Sequence, residues 1–399
     1  MKILIHYGEI WLKGKNRPFF ESKLLENIRT ALERSQVEVE ALSKERGRML
    51  CSIAAAGAER AEEALRDVLG LKHFAFPEEV ESTEEAILEK AAEVLGRLKE
   101  SGKQSVGLST SRADKRFPLT SLELNKKIGA EANRKGLRIN FRDPDETLHI
   151  EIAGKTSYLY TRKISGPGGL PVSVSGKVLA LLSGGIDSAV AAWLLMKRGC
   201  RVDFLHFHAY RENEEVLGTK IPKLVEQLNR YQFRSRLFLA PYYVYDVQAM
   251  GRVAPGLDLV VFKNFMFRVA QRLARQHRYK VLVSGDSVGQ VASQTLDNLA
   301  ATDYGIELPV LRPLAGSDKE EIIALARRIG TYEESIGKYK DCCSIISRRP
   351  STSVKVEELR AALLPLGVEE LMEKTLGQLG KFDFGRPAPA TPEASLSRE

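Results

Sequence analysis

The stretch Leu181–Trp193, LLSGGIDSAVAAW, joins an apolar run to an apolar-patterned helix through a short turn of glycine and serine. The run before the turn, KVLALLS at residues 177–183, is nearly all apolar and predicts a strand buried on both faces. Ligands of open α/β sheets bind at the carboxyl ends of such strands, and free amides at a helix N-terminus attract anions. The stretch therefore predicts a phosphate-binding turn in a parallel sheet.

The residues of this turn differ in what they offer a phosphate. Gly184 and Gly185 allow the backbone to approach closely, while Ser183 and Ser188 add hydroxyl donors. Asp187 is anionic and fits a magnesium or helix-capping role better than direct phosphate contact. The turn matches neither the Walker pattern nor the Rossmann pattern. A tight turn whose glycines only permit packing is the alternative.

Beyond residue 177 the chain alternates between strand and helix patterns. The strand RVDFLHFH at 201–208 follows the first helix, and the helix pattern at 262–277 leads into another apolar strand at 279–285. This alternation predicts a doubly wound parallel sheet. The final residues, 383–399, lack apolar periodicity and predict a disordered tail.

The first 165 residues have a different organisation, with two α+β patterns in succession. KILIHY at residues 2–7 predicts a strand, and a helix with Pro18 in its first turn follows. Later in the chain, residues 147–164 predict a strand hairpin that turns at Gly154. We therefore divide the chain into domains at 1–55, 56–165 and 177–382, a linker at 166–176 and a tail at 383–399.

Composition limits the class of protein. Lys and Arg number 60 against 52 Asp and Glu, a formal net charge of +8, which permits a polyanionic partner without requiring one. No apolar run has the length of a membrane span or the form of a signal peptide, so we expect a cytoplasmic protein without a membrane partner. The four cysteines are too few for a disulfide framework, and none of them form a metal-binding C-x-x-C pair.

Basic side chains are concentrated in the second α+β region. Clusters of this kind suit contacts to nucleic-acid phosphates, although a solvated helix face is the commoner explanation for a charge run. The candidate RNA-binding residues are Arg112, Lys115, Arg116, Lys126, Lys127, Arg134 and Lys135.

The motif S-G-G-x-D-S between strand and helix resembles the PP-loop of ATP pyrophosphatases. Further segments, YGEIWLKGKNRPFF at 7–20, RADKRFPLTSLELNKKIG at 112–129 and SGDSVGQVASQTLDNL at 284–299, resemble the tRNA 4-thiouridine synthetase (tRNA sulfurtransferase) family. The resemblance implies an α/β and α+β multidomain protein. Its expected parts are an N-terminal ferredoxin-like domain, a THUMP RNA-binding domain, and a PP-loop domain of the adenine nucleotide α-hydrolase-like type.

The same resemblance implies a reaction. ATP, with Mg²⁺, activates the C4 oxygen of uridine 8 in tRNA, and a cysteine persulfide then delivers sulfur to give 4-thiouridine. The persulfide carrier is expected in KDCCSIISRRP at residues 340–350, where alignment favours Cys343 and leaves Cys342 as the alternative. Asp187 is the other residue to which we assign a catalytic role.

Contacts to ATP carry over from the family by motif. Backbone groups near the base and side chains near the phosphates make up this set. Its members are Leu181, Leu182, Ser183, Gly184, Gly185, Asp187, Ser188, His206, Phe207, Lys263, Gly285 and Gln294.

The expected partners follow from the resemblance. We expect the partner to be tRNA, through its acceptor arm and the region of uridine 8, with the THUMP domain as the RNA-binding part of the chain. Some relatives carry a C-terminal rhodanese domain that relays sulfur, whereas the tail of this chain is too short for one, so we expect a separate cysteine desulfurase to supply sulfur. The sequence leaves a monomer and a homodimer open. Another adenylating ligase and a non-catalytic RNA-binding protein are the alternative functions.

Overall fold

The computed structural model describes residues 1–45, 47–113, 115–346 and 351–385, with the backbone alone described for Cys343 and Ser344. The chain forms two compact units, Met1–Gly169 and Leu170–Glu399, and each is described by itself.

The first unit contains two five-stranded sheets. Its strands are β1 (Lys2–Tyr7), β2 (Val39–Glu45), β3 (Arg48–Ile53), β4 (Leu71–Ala75), β5 (Glu78–Glu81), β6 (Ser105–Arg112), β7 (Arg138–Ile139), β8 (Glu146–Ala153), β9 (Thr156–Tyr160) and β10 (Ile164–Ser165). The first sheet has the order β10-β4-β1-β3-β2 and is antiparallel throughout. The second has the order β5-β9-β8-β6-β7, with β6 parallel to both its neighbours.

Four α-helices cover these sheets. They are α1 (Arg17–Arg34), α2 (Ala58–Arg66), α3 (Glu84–Glu100) and α4 (Ser121–Arg134). Helix α1 buries Leu24, Ile28 and Leu32 on one face, as its spacing predicts. Helix α4 begins at a capping box in which Thr120 and Glu123 each satisfy a backbone amide of the other.

The first sheet extends beyond residue 55, where we placed the end of the first domain. Strand β4 pairs with β1, and β10, which lies close to the expected linker, pairs with β4. The hairpin at Gly154 has the expected place, between β8 and β9. The predicted boundary at residue 55 therefore cuts through the first sheet. The pairings that complete the sheet join residues far apart in sequence, and local periodicity carries no information about them.

A buried polar network links the two sheets of the first unit. The Glu151 carboxylate accepts hydrogen bonds from Arg48 (2.7 Å) and Tyr160 (2.7 Å), and His6 lies 2.9 Å away. These partners hold the pKa of Glu151 down to about 2, against the effect of its burial. The network therefore fixes the sheets to each other through an ionised side chain.

The second unit contains a six-stranded sheet of order β15-β14-β11-β12-β13-β16. Its strands are β11 (Lys177–Leu181), β12 (Arg201–His208), β13 (Ser235–Pro241), β14 (Leu282–Val283), β15 (Val310–Leu311) and β16 (Gly380–Phe384). All neighbouring pairs are parallel except β13 and β16. The predicted doubly wound parallel sheet is confirmed, with an antiparallel strand added at one edge.

The helices of the second unit cover both faces of this sheet. They are α5 (Ile186–Lys197), α6 (Lys220–Gln232), α7 (Tyr243–Ala249), α8 (Asp258–His277), α9 (Leu296–Thr302), α10 (Lys319–Arg328), α11 (Tyr332–Ile336), α12 (Cys342–Ile346), α13 (Val356–Leu363) and α14 (Val368–Gly377). Among the described residues, none of the helices combines the length and the apolar composition needed to cross a membrane.

The start of the predicted disordered tail is wrong by two residues. Asp383 and Phe384 continue β16 and pair with Arg236 and Ser235 of β13. Backbone pairing at a sheet edge needs no apolar periodicity, so the sequence pattern did not reveal it. The rest of the predicted tail, from residue 386, lies outside the described residues.

Candidate nucleotide site and RNA-binding surface

The glycine–serine turn is locked by its own hydroxyl groups. Ser188 Oγ accepts from the Ser183 amide (3.2 Å) and donates to the Gly185 carbonyl (3.1 Å). Gly184 has φ +83°, and a Cβ there would stand 2.7 Å from Cδ1 of Ile221. The turn thus needs glycine for its backbone angle and serine for its shape.

Gly285, just beyond β14, lies directly against this turn. A Cβ at Gly285 would stand 2.7 Å from the Ser188 amide nitrogen and 2.8 Å from the Asp187 carbonyl carbon. Parallel pairing of β14 with β11 brings the two strand ends together. Only a glycine allows the two backbones to approach so closely.

A cavity of about 220 Å³ lies at these strand ends. Its wall is formed by Leu181, Leu182, Ser183, Asp187, Ser188, Leu205, Phe207, Lys263, Met266, Phe267, Ser284, Gly285, Asp286, Val291, Ser293, Gln294, Asp341 and Cys342. All the residues that we expected to contact ATP line it except Gly184, Gly185 and His206. Gly184 and Gly185 belong to the same turn, whereas the His206 side chain is buried and makes hydrogen bonds of its own.

The His206 side chain is fully buried beneath the turn. Its Nδ1 lies 2.6 Å from the Leu182 carbonyl oxygen, and its Nε2 lies 2.6 Å from the Tyr339 hydroxyl. Burial lowers the pKa of His206 to about 3, so the ring is neutral at physiological pH. The family resemblance implied only a backbone contact between His206 and the base, because strand alternation does not reveal the partner of a buried ring.

Sequence reasoning assigned no role to the ion pairs around Asp286. Lys263 Nζ lies 2.8 Å from Asp286 Oδ1, and Ser284 Oγ donates to Asp286 Oδ2 at 2.6 Å. Arg312 is 3.4 Å from the same carboxylate and binds Asp303 through two nitrogens. Although burial opposes it, Lys263 lowers the pKa of Asp286 to about 2. The sequence feature that indicated a site here was the position of Asp286, an acidic residue directly after an apolar strand.

Asp187 has two partners that the sequence did not indicate. Lys319 Nζ, from the first turn of α10, lies 2.7 Å from its Oδ1, and Gln290 Nε2 lies 2.8 Å from its Oδ2. The Lys319 side chain is 43% exposed, so the ammonium group is open to solvent beside the turn. Both partners lie more than 100 positions away from Asp187 in sequence.

The two adjacent cysteines lie at the start of the short helix α12. Cys342 is 1% exposed, donates from Sγ to the Phe207 carbonyl at 3.4 Å, and lines the cavity. The side chain of Cys343, the expected persulfide carrier, lies outside the described residues, so that assignment stays a prediction.

Most of the candidate RNA-binding side chains are exposed on the first unit. Lys115, Arg116, Lys126, Lys127 and Arg134 are exposed, and Lys135 is half-buried. Arg112 differs, because it turns inward and donates to the carbonyls of Phe117 (3.2 Å) and Leu119 (2.6 Å). It therefore holds the loop that precedes α4.

A second cavity, of about 880 Å³, lies in the first unit beside Arg116. It is lined by side chains from both sheets, and most of its charged groups are cationic. These are Lys15, Arg17, Lys44, Arg48 and Arg116, with Glu21 and Glu45 as the acidic members.

A parallel sheet with an S-G-G-x-D-S turn at a polar cavity defines a class, the nucleotide-binding domains of the ATP pyrophosphatase type. Family models match most of the chain. The model described as thiamine biosynthesis protein (ThiI) matches residues 173–364, the ThiI ferredoxin-like domain matches 2–75, and the THUMP domain matches 81–162.

Curated relatives are similar over nearly their full length. A probable tRNA sulfurtransferase of Moorella thermoacetica is 38% identical, covering 94% of this chain and 96% of the relative. One of Geobacillus kaustophilus is also 38% identical, covering 94% of each chain. The chain therefore belongs to the ThiI family of tRNA sulfurtransferases.

Solved structures agree with this assignment. A 4-thiouridine synthetase in complex with RNA and with bound ATP has a TM-score of 0.83 at 29% identity, covering 96% of this chain and 99% of that one. A protein from Pyrococcus horikoshii has a TM-score of 0.63 at 27% identity, covering 82% of this chain and 99% of that one. The expected three-part fold, with ferredoxin-like, THUMP and PP-loop parts, is confirmed.

Proposed function

We propose that this enzyme uses ATP to activate the C4 oxygen of uridine 8 in tRNA and replaces that oxygen with sulfur from a cysteine persulfide. The observation that carries the proposal is a shared cavity. Residues of the glycine–serine turn and residues of the cysteine segment, Asp341 and Cys342, line the same space. The C4 oxygen receives the adenylyl group and the C4 carbon is then attacked by sulfur, so both steps take place on one C–O group, and a shared cavity meets that requirement.

The cavity fits a nucleotide. The amides at the start of α5 and the hydroxyls of Ser183 and Ser188 suit phosphate oxygens, and Lys263 adds a positive charge. Among the described residues, the Gln294 side-chain oxygen is buried without a hydrogen-bond partner, so it is available to a donor on the base. Apolar side chains of Phe207, Met266 and Phe267 complete the wall.

Mg²⁺ fits this site through Asp187. Both Asp187 and Asp286 line the cavity, but the Asp286 carboxylate is already bound by Lys263, Ser284 and Arg312. Asp187 is 21% exposed and has partners that can exchange for a cation. When bound, the ion neutralises phosphate charge and favours departure of pyrophosphate. Lys319, released from Asp187, would offer its ammonium group to the same phosphates.

The RNA partner is proposed to bind the first unit. The exposed cationic side chains of α4 and the mainly cationic cavity beside Arg116 are both suited to contacts with phosphates. The THUMP match and the RNA complex of the similar synthetase support tRNA as the ligand. We propose recognition of the acceptor arm by shape, because A-form helices hide their base edges.

Cys343 is proposed as the persulfide carrier. Cys342 is buried, and its thiol is occupied by the Phe207 carbonyl, which disfavours it as the acceptor of sulfur from another protein. A cysteine desulfurase is the proposed donor. The Cys343 persulfide would attack C4, and AMP would leave with the former C4 oxygen. A second thiol would then attack Sγ of Cys343 and form a disulfide with it as 4-thiouridine leaves, and an added dithiol would reduce that disulfide.

A reconstituted assay tests the proposal. The protein is incubated with tRNA, ATP, Mg²⁺, a dithiol reductant and a cysteine desulfurase with its substrate cysteine, and both pyrophosphate and 4-thiouridine are measured. We expect Asp187→Asn and Lys319→Met to lose pyrophosphate release by about a hundredfold, the scale for a group that stabilises transition-state charge. Cys343→Ser should release pyrophosphate but form no 4-thiouridine, whereas Cys200→Ser, far from the cavity, serves as the control.

Two outcomes would contradict the proposal. The first is 4-thiouridine formation by Cys343→Ser at the wild-type rate. The second is pyrophosphate release by the wild-type protein that depends on a small carboxylate and is indifferent to tRNA, which would favour an adenylating ligase.

A further inference from the structure

One buried histidine connects the nucleotide site to the segment that leads into the cysteines. The ring of His206 lies between the Leu182 carbonyl oxygen and the Tyr339 hydroxyl, at 2.6 Å from each. Leu182 lies directly after β11, at the start of the glycine–serine turn, and Tyr339 stands three positions before Cys342. The three groups form a continuous chain of hydrogen bonds.

The chemistry of the groups fixes the direction of each bond. The Leu182 carbonyl can only accept, so Nδ1 of His206 carries the hydrogen and donates it. A neutral ring then has a lone pair on Nε2, which accepts from the Tyr339 hydroxyl. Burial keeps the pKa of His206 far below its usual range, so this tautomer persists at physiological pH. Position 339 therefore requires a hydroxyl donor and not merely an aromatic ring.

Neighbouring contacts hold the same segment. The Lys220 ammonium donates to the carbonyls of Ser335 (2.6 Å) and Gly337 (2.9 Å) and lies 5.7 Å from the Tyr339 ring centre. These bonds fix residues 335–337 from one side, while His206 fixes Tyr339 from the other.

The next residue of the strand holds the cysteine segment itself. Phe207 follows His206 in β12, and its carbonyl oxygen accepts from Cys342 Sγ at 3.4 Å. Consecutive residues of one rigid, buried strand thus hold Tyr339 by a side chain and Cys342 by a backbone oxygen. The position of α12 relative to the cavity depends on both.

We infer that Tyr339 is a positioning residue, which through His206 sets the cysteine segment at a fixed distance from the nucleotide-binding turn. The inference rests on the proposed function, because it assigns the segment to sulfur delivery. Tyr339 has no chemical step of its own. Its hydroxyl holds the segment so that the persulfide sulfur meets the activated carbon in a reactive geometry.

The test is Tyr339→Phe, which removes one oxygen atom and keeps the ring. We expect the single-turnover rate of 4-thiouridine formation to fall about tenfold, the effect of one lost buried hydrogen bond, with the KM for ATP unchanged. Tyr210→Phe is the matched control, because the Tyr210 ring packs 6.1 Å from the Tyr339 ring and its hydroxyl takes no part in this chain of bonds. Its rate should equal that of the wild type.

A second readout does not depend on catalysis. Cys342 is 1% exposed, so iodoacetamide should label it slowly in the wild type, as followed by peptide mass spectrometry. We expect labelling of Cys342 to be about tenfold faster in Tyr339→Phe, because the segment opens more often when one anchor is lost. Tyr210→Phe should label at the wild-type rate.

A second variant tests the same bond from the other side. His206→Asn places an amide N–H near the former Nδ1, so it retains a donor for Leu182 and loses the acceptor for Tyr339. It should label and thiolate as Tyr339→Phe does, and the double variant should be no worse than either single one. Additive losses in the double variant would overturn the inference, and so would labelling and thiolation of Tyr339→Phe at wild-type rates.

Failure of the proposed function gives a different result. In that case the wild type itself forms no 4-thiouridine, while labelling of Cys342 still reports whether Tyr339 holds the segment. Equal labelling of the wild type and Tyr339→Phe contradicts the positioning role whatever the wild type does with tRNA.

Discussion

Asp286 and Lys263 form a buried ion pair on the wall of the nucleotide cavity, with 2.8 Å between Oδ1 and Nζ. The two side chains are 5% and 13% exposed. The carboxylate holds the ammonium group in place and also balances Arg312. The ammonium group of Lys263 therefore lies at a defined position on the wall of the cavity.

Loss of the Asp286 charge should weaken nucleotide binding. In Asp286→Asn the side chain keeps its shape, but Lys263 and Arg312 lose their shared counter-ion. We expect the KM for ATP to rise at least about tenfold and the free energy of unfolding to fall by about 3 kcal/mol, the scale for a broken buried ion pair. Steady-state kinetics and urea denaturation measure these effects. Asp383→Asn, whose carboxylate is 74% exposed, should change neither.

The same pair predicts a pH dependence of stability. The pKa of Asp286 is about 2 in the folded protein, below its usual value, so the folded state favours the ionised form. This contribution is complete above pH ~4 and is lost as the pH falls towards about 2. The difference in unfolding free energy between the wild type and Asp286→Asn should therefore shrink over that range. A constant difference, measured by urea denaturation at each pH, would contradict the ionisation of Asp286.

Gly285 should tolerate no side chain. A Cβ would stand 2.7 Å from the Ser188 amide nitrogen, so Gly285→Ala must push β14 away from the glycine–serine turn. We expect ATP affinity, measured by calorimetry, to fall about tenfold or more, with a loss of stability of about 1–3 kcal/mol from overpacking. Gly377→Ala is the control, since a Cβ there meets no atom within 4 Å. Equal ATP affinity of the two variants would show that the turn can move freely.

Two half-buried histidines of the first unit should make its stability fall in weak acid. Burial lowers the pKa of His73 and of His149 to about 4. Between pH ~6.5 and about 4 the unfolded chain binds protons that the folded chain does not, so the unfolding free energy decreases as the pH falls through this window. His149→Phe keeps a ring against Tyr160, whose centre is 5.0 Å away, and should flatten the decrease in denaturation curves. An unchanged slope would exclude His149 as a contributor.

The cationic face of α4 should contribute to RNA affinity without sequence preference. Each phosphate contact that is removed should lower the slope of log K against log salt by about one. We expect Lys126→Ala and Arg134→Ala to weaken binding of tRNA and of unrelated helical RNA alike, as measured by fluorescence anisotropy at several salt concentrations. Lys223→Ala, on the exposed side of α6, is the charge-matched control. If the slope of log K against log salt in both test variants equals that of the wild type, α4 does not contact RNA phosphates.

Local patterns predicted the elements on either side of the glycine–serine turn. The apolar run and the S-G-G-x-D-S motif at residues 177–188 predicted a strand, a turn and a helix, and these are β11, the turn and α5, whereas phosphate binding by the turn stays a prediction. Periodicity depends only on residues that are close together in the chain, so it can be recognised from the sequence alone. It could not reveal that β4 and β10 complete the first sheet, because those pairings join distant segments.

The tertiary structure alone decided how the site is assembled. Lys319 and Gln290 reach Asp187, and Tyr339 reaches His206, only because the parallel sheet brings the carboxyl ends of its strands to one edge. A polar side chain in a loop looks the same in sequence whether it is solvated or bound to a distant partner. The residues of the turn were therefore determined locally. The partners of Asp187, His206 and Asp286 were determined by which helices and loops the fold places beside the turn.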